Sequence, residues 1–289
     1  MDASLELKIK AVNNSIQSFE EAESYLNNSE LFKSLLSDFE LTSINLLHRL
    51  TQLSEIPFSQ GNEKVKKWRD QLANITYCEV GFSLSGRSDD ILACYNAMIT
   101  SVLIKLEYPI LFQIEKGIEW INCYQNTRRN QPNNWKGKGI LKYGGCMKST
   151  PCFIGVVKSM EALSTFKSKQ QNQSVRIAQK LESGLQYILE HKVYQRKSSN
   201  QTITKDITKL TYPFTYKTNI VEILRLLRDN DLLDDPRVDE VKDLLNKKKK
   251  GTSWVVNSFY RPKFWVDFDK PKQKSEWIDF EIRNTMHNN

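Results

Sequence analysis

Apolar residues recur along this chain at three- and four-residue intervals, not in alternation, and the pattern predicts helix after helix with almost no strand. Between Leu31 and Leu53, the residues Leu35, Leu36, Phe39, Ile44, Leu46, Leu47, Leu50 and Leu53 keep near-helical spacing until Pro57 closes the element. Glu63 to Ala73 is a shorter amphipathic segment. Ser88-Asp89-Asp90 offers capping oxygens ahead of the strongly apolar stretch Ile91 to Leu106, which must end before Pro109. A helix restarts at about Pro109 and runs through Gln125. Pro151 to Phe166 carries Phe153, Ile154, Val156, Val157, Met160 and Leu163 on its buried side, and Gln173 to Glu190 follows. From Asn219 to Asp229 the residues Ile220, Val221, Ile223, Leu224, Leu226 and Leu227 cover nearly the whole girth, which predicts a buried helix. Asp235-Pro236-Arg237 opens another with a capping carboxylate and a proline at the first position, and Glu276 to Arg283 makes a last one around Trp277, Ile278 and Phe280.

Two stretches interrupt the period. Residues 126–148 shift to Asn, Arg, Gly and Trp and read as a long ordered loop, a kind of segment that often carries function. His191 to Thr211 is a second polar connection. No Gly/Ser-rich or Pro-rich linker divides the chain, so residues 1–289 are expected to form one domain.

An imperfect repeat lies over these helices. Lys116-Gly117-Ile118-Glu119-Trp120-Ile121-Asn122-Cys123-Tyr124-Gln125, followed by Trp135, recurs in weaker form as Ser183-Gly184-Leu185-Gln186-Tyr187-Ile188. Its second half returns after Val241 to Asn246 as Gly251-Thr252-Ser253-Trp254. Such units are stacked helical hairpins, each needing its neighbours to bury an apolar stripe. Gly117 and Gly184 would let helices approach closely, Trp120 and Tyr187 would fill the gap, Gln125 would bond a helix end, and the later tryptophan would seal the layer.

The unit Lys116-Gly117-x-x-Trp120-Ile121-x-x-x-Gln125 resembles the QW-type repeat of squalene and terpenoid cyclases and of protein prenyltransferase subunits. The glycine before Trp135 is absent, since Asn133-Asn134 stand there, Gly251 lies three positions before Trp254, and Lys247 or Lys248 takes the place of glutamine. From Ile110 to the C-terminus the chain is similar to small bacterial toroid proteins described only as prenyltransferase-like, whereas residues 1–109 carry weaker resemblance. The resemblance implies an all-α chain folded as an α/α toroid, or an incomplete toroid, of about five or six helical hairpins. It also implies a central cavity for an apolar or isoprenoid-like small molecule. The alternative is a helical-repeat scaffold that binds a peptide or protein without catalysis.

Charge and cysteine usage narrow the setting. The net charge of +8 is concentrated in Lys247-Lys248-Lys249-Lys250 and between Lys263 and Lys274, runs that read as solvated loops. No basic helix carries interleaved aromatics, so no nucleic-acid partner is expected. Five cysteines, an odd number, argue for free thiols in a reducing compartment, and Met1 to Glu6 has no signal-peptide character. Ile91 to Phe112 is interrupted by Asn96, Lys105, Glu107 and Pro109 and is too polar to span a bilayer; a cytoplasmic protein is expected.

The chemistry of the resembled families is not legible. The nearest text to the proton-donating Asp-x-Asp-Asp of cyclases is Asp267-Phe268-Asp269-Lys270, which lacks the last aspartate. Leu233-Asp234-Asp235-Pro236 sits at a helix start, where capping explains it, and His48, His191 and His287 have no metal-ligand spacing. Catalytic residues are therefore left unassigned, as is turnover itself; no metal is assigned, and Mg²⁺ or Zn²⁺ would enter only with a diphosphate substrate. The ligand-pocket candidates are Trp135, Tyr143, Cys146, Cys152, His191 and Tyr212. Cys146 and Cys152, just before a helix N-terminus, suit a thiolate, a redox pair, half a zinc site or simply buried thiols. His191 is a base or a helix-terminal cation, and Tyr212-Pro213-Phe214-Thr215-Tyr216 resembles an inward-pointing aromatic segment. Arg128, Arg129 and Lys136, beside Trp135, are candidates for binding an anion such as diphosphate, or are solvated loop charges.

Overall fold

The apolar period translates into twelve α-helices among the described residues of the computed structural model, which are 1–137, 149–170 and 174–286. These are α1 (Ala3–Val12), α2 (Phe19–Asn28), α3 (Glu30–Leu35), α4 (Ser43–Leu53), α5 (Glu63–Thr76) and α6 (Ala93–Lys105). They continue as α7 (Leu111–Tyr124), α8 (Phe153–Lys169), α9 (Val175–Glu190), α10 (Ile220–Arg228), α11 (Asp239–Lys247) and α12 (Glu276–Met286). The described residues are all-α apart from a two-residue antiparallel ladder, β1 (Tyr77–Cys78) with β2 (Gly81–Phe82). No described helix is long and apolar enough to cross a membrane.

Three expectations are corrected. The spacing from Leu31 to Leu53 is not one helix, because the Thr42 hydroxyl accepts the Asn45 amide and starts α4 afresh. Phe39, between α3 and α4, keeps its place in the apolar pattern by packing edge-on to Trp68, with ring centroids 5.0 Å apart. Likewise Ser88-Asp89-Asp90 is a separate 3₁₀ turn and does not cap α6, which begins after Leu92 without a side-chain cap. Its carboxylates are used locally, Asp89 by Arg87 and Asp90 by the Ser85 hydroxyl. Helices α1 and α2 precede every element that the periodicity marks, and Asp2 holds them in place by accepting from the Ser4 amide, the Ser29 hydroxyl and the Leu31 amide.

Alternate helices pack on one another. α6 lies between α4 and α8, with α8 its most extensive neighbour, and the series continues from α8 to α10 and from α10 to α12. Each of α4, α6 and α8 also packs on the next helix in sequence, α5, α7 and α9. The repeat's small residues make this possible. A methyl at Gly117 would run into the Thr100 hydroxyl and the Phe82 ring, and one at Gly184 into the Met160 side chain. Trp120 is fully buried, and Trp135 stands edge-on to it at 5.3 Å and against Tyr124 at 4.9 Å, sealing the end of that hairpin. Trp254 closes the end of α11 by donating its indole N–H to the Leu245 carbonyl at 2.8 Å. Buried Asn96 binds the Phe82 amide at 2.8 Å and the Gly117 carbonyl at 3.0 Å, tying β2, α6 and α7 together. Asp235 accepts the Arg237 amide at 2.9 Å but caps a separate 3₁₀ turn, Pro236–Val238; α11 itself begins at Asp239 without a side-chain cap, which corrects the expectation that Asp235-Pro236 opens it.

Candidate functional site

Helix α10 is apolar almost all round, and the positions left over decide where it points. Glu222 and Arg225, spaced i and i+3, occupy one face of it. A helix buried on its other sides can satisfy such a pair only from within the protein. The partners come from the alternate helices: Lys8 of α1, Glu55 just after α4, Lys105 at the end of α6, Lys158 and Glu161 of α8, and Glu281 of α12. Lys8, Glu55, Lys105, Glu161, Glu222, Arg225 and Glu281 line one cavity of about 370 Å³, with Lys169, Arg228 and Asp229 also in its wall.

The geometry is that of a closed ion network. Arg225 clasps Glu55 with both nitrogens, at 2.7 and 3.0 Å, and reaches Glu281 at 3.3 Å and Glu161 at 3.7 Å. Lys105 binds Glu161 at 2.7 Å, Lys8 lies 3.4 Å from Glu55, and the Tyr212 hydroxyl donates to Glu55 at 2.9 Å. Phe214 lies under the guanidinium, 4.4 Å from ring centroid to carbon. Deeper in, Lys158 pairs with Glu222 and donates to the Thr215 carbonyl at 2.8 Å. Four carboxylates thus meet four cations, most of them buried or nearly so.

Burial would push the Glu55 and Glu161 carboxyls up, but the facing cations outweigh it. Arg225, Lys8 and Lys105 hold Glu55 well below the carboxylate range, and Lys105, Lys158 and Arg225 bring Glu161 to about 2. Glu222 goes the other way, because burial and the Glu161 charge outweigh Lys158, so its affinity for a proton rises. Tyr212 is raised well above its ordinary value by burial and by the Glu55 and Glu281 charges, and it stays a hydrogen-bond donor. Behind the cavity a smaller void of about 20 Å³ shares Ser54, Glu55, Lys105, Glu161 and Glu222 with it and adds Ser101 and Lys158. Chemically the arrangement offers preorganised charges of both signs. The four carboxylates each face a cation, and among the described residues no three of His, Cys, Asp and Glu converge as a metal site.

The candidates taken from the sequence fall in several places. Tyr212 reaches the ion network through its hydroxyl. Cys152 is half-buried near Cys94 and Tyr216 at the start of α8. His191 is buried, with Nδ1 2.8 Å from the Gln195 carbonyl oxygen and the ring against Tyr187 and Phe153; burial depresses its pKa. Arg128 and Arg129 line a second, open groove of about 720 Å³ along α9, with Gln179, Glu182, Ser183, Gln186, Tyr187 and Glu190. Trp135 stays in the hairpin end, and Lys136 beside it is exposed. Tyr143 and Cys146 lie outside the described residues. The sequence's nearest approach to a cyclase acid, Asp269, accepts the Trp277 and Ile278 amides at 3.2 and 2.8 Å and so starts α12.

The ion network itself was missed by sequence reasoning. One signal was available, a helix read as buried that nevertheless carries Glu222 and Arg225 on a single face. Its partners Lys8, Glu55, Lys105, Glu161 and Glu281 look like ordinary surface residues until the helices are assembled. Comparisons with protein-family models, with curated proteins and with solved structures find no match for the chain.

Proposed function

We propose that this chain is a single-domain α/α toroid, its inner helices α4, α6, α8, α10 and α12 ringing a central ligand site. The packing of alternate helices supports the toroid, and the cavity at their meeting point supports the site. The observation that carries the function is the lining: charged side chains of both signs from α1, the turn after α4, α6, α8, α10 and α12 converge on a space large enough for a small molecule. An ion network so deep costs desolvation that well-packed apolar residues would avoid, which is the pattern of a site kept for recognition. The ligand is accordingly a small ionised molecule. The isoprenoid implied by the QW-like repeat gains less support, because a hydrocarbon in this cavity would lie against carboxylates and ammonium groups.

The test is a thermal-shift panel of small ionised molecules of either sign, with farnesyl diphosphate included, followed by hydrogen exchange on any that stabilise. A ligand of this site raises the midpoint by mass action and protects α8 and α10. Stabilisation by farnesyl diphosphate alone would return the isoprenoid reading. A second reading, a scaffold for a peptide, rests on the open groove along α9. A ligand or peptide protecting α9 and leaving α10 unchanged would favour it.

A further inference from the structure

The void behind the cavity is lined by two residues, Ser101 and Glu222, that each carry a buried polar atom without a full hydrogen bond among the described residues. Ser101 on α6 is 3% exposed and its hydroxyl has no partner among the described residues. Other helical hydroxyls, those of Thr51, Thr76, Thr100 and Thr165, each donate to the carbonyl one turn back, at 2.7 to 2.8 Å, whereas Ser101 shares its lack of a partner with Thr285 of α12, which does not line this void. Glu222 is 2% exposed and gives one oxygen to Lys158; its other oxygen is buried with no hydrogen-bond partner among the described residues, and the Thr218 hydroxyl lies near the carboxyl. Buried polar atoms are nearly always satisfied, and two in one small chamber point to a missing partner.

The chamber's charge says which partner. Its wall carries three carboxylates, Glu55, Glu161 and Glu222, against two ammonium groups, Lys105 and Lys158. Its two free atoms are both able to accept. Its volume of about 20 Å³ suits a single small polar group, and it adjoins the 370 Å³ cavity through shared walls. Building on the central-site reading above, we propose that this chamber receives the protonated amine of a small ligand, accepted by the free Glu222 oxygen and the Ser101 hydroxyl, with the rest of the molecule in the larger cavity.

The experiment is calorimetric titration of the full chain with butane-1,4-diamine, 4-aminobutanoate and butanoate, on the wild type, Ser101→Ala and Glu222→Gln. The amines bind and butanoate does not. Ser101→Ala weakens amine binding about tenfold, the loss of one hydrogen bond to a charged group, and is expected to melt like the wild type because its hydroxyl has no protein partner among the described residues. Glu222→Gln weakens it by at least about thirtyfold; should that variant fail to fold, Ser101→Ala carries the test alone. Amines that fail to bind, or that bind Ser101→Ala as tightly as the wild type, overturn the proposal. Butanoate binding with inert amines would remove the amine while leaving the central cavity as a ligand site, whereas silence from all three, together with a silent thermal-shift panel, removes both.

Discussion

Arg225 holds Glu55 through two parallel hydrogen bonds, at 2.7 and 3.0 Å, across 170 residues of sequence. This fork joins α10 to the turn after α4, and both residues line the cavity. Glu55→Ala leaves the guanidinium and Lys8 short of a counter-charge in a buried place, and the expected loss is about 3–5 kcal/mol. Replacing both Glu55 and Arg225 by leucine restores a large part of that stability, because the uncompensated charge goes too. Urea denaturation of the two singles and the double decides the matter: additive losses would mean that the fork is not a coupled unit.

The two repeat glycines make unequal demands. A methyl at Gly117 meets the Phe82 ring at 3.1 Å as well as the Thr100 hydroxyl, whereas at Gly184 the three nearest atoms all belong to the flexible Met160 side chain. Gly117→Ala is expected to cost about 1–3 kcal/mol by overpacking. Gly184→Ala lies within about 1 kcal/mol of the wild type, since methionine moves aside and alanine is the better helix former. Equal midpoints in guanidinium for the two variants would refute this reading of the close approach.

Stability should fall with acid in two stages. Half-buried His48 titrates at about 4 instead of its ordinary 6.5 because burial disfavours the imidazolium. Its contribution is full above 6.5 and is lost as pH drops through 4, since the unfolded chain takes up the proton first. Glu161, held at about 2, does the same between 4.5 and 2. His48→Phe therefore flattens the unfolding free energy between pH 6.5 and 4, by roughly 1–3 kcal/mol after allowance for solvent screening, and leaves the lower stage in place. A variant with the wild-type pH slope in the upper window would exclude His48 as its source.

The two hairpin-sealing tryptophans differ in what holds them. The Trp254 indole N–H bonds the Leu245 carbonyl, but the Trp135 indole N–H has no partner among the described residues. Trp254→Phe is expected to lose about 1 kcal/mol more than Trp135→Phe, the net worth of one hydrogen bond plus a carbonyl left bare. Thermal melts of both variants, compared under one buffer, provide the check.

Most helices were legible because their apolar period is a local property. α5, α7, α8, α9, α10 and α12 lie where the spacing of Leu, Ile and Val places them, within a few residues at their ends. The close approaches at Gly117 and Gly184 were legible too, since a missing side chain in a helix has few other uses. The spacing failed between Leu31 and Leu53, where Phe39 is apolar on account of Trp68 and not of a helical neighbour. Cys152 and His191 could be named as chemically able residues, but their type says nothing of whether they face a cavity. His191 is fixed by Tyr187, Phe153 and the Gln195 carbonyl, which are packing partners.

What the sequence by itself determined is thus the helices and the contact surfaces of the repeat, features set by residues close together in the chain. The central charges belong to the tertiary structure alone. Lys8, Glu55, Lys105, Glu161, Arg225 and Glu281 are scattered over more than 270 positions, and each is, by itself, a residue type that normally sits in water. Only when α1, α4, α6, α8, α10 and α12 pack do they come within ion-pairing distance of one another. The fields of their neighbours, not their own identities, then decide which of them stay ionised, because electrostatic energy depends on separation and burial and not on order along the chain.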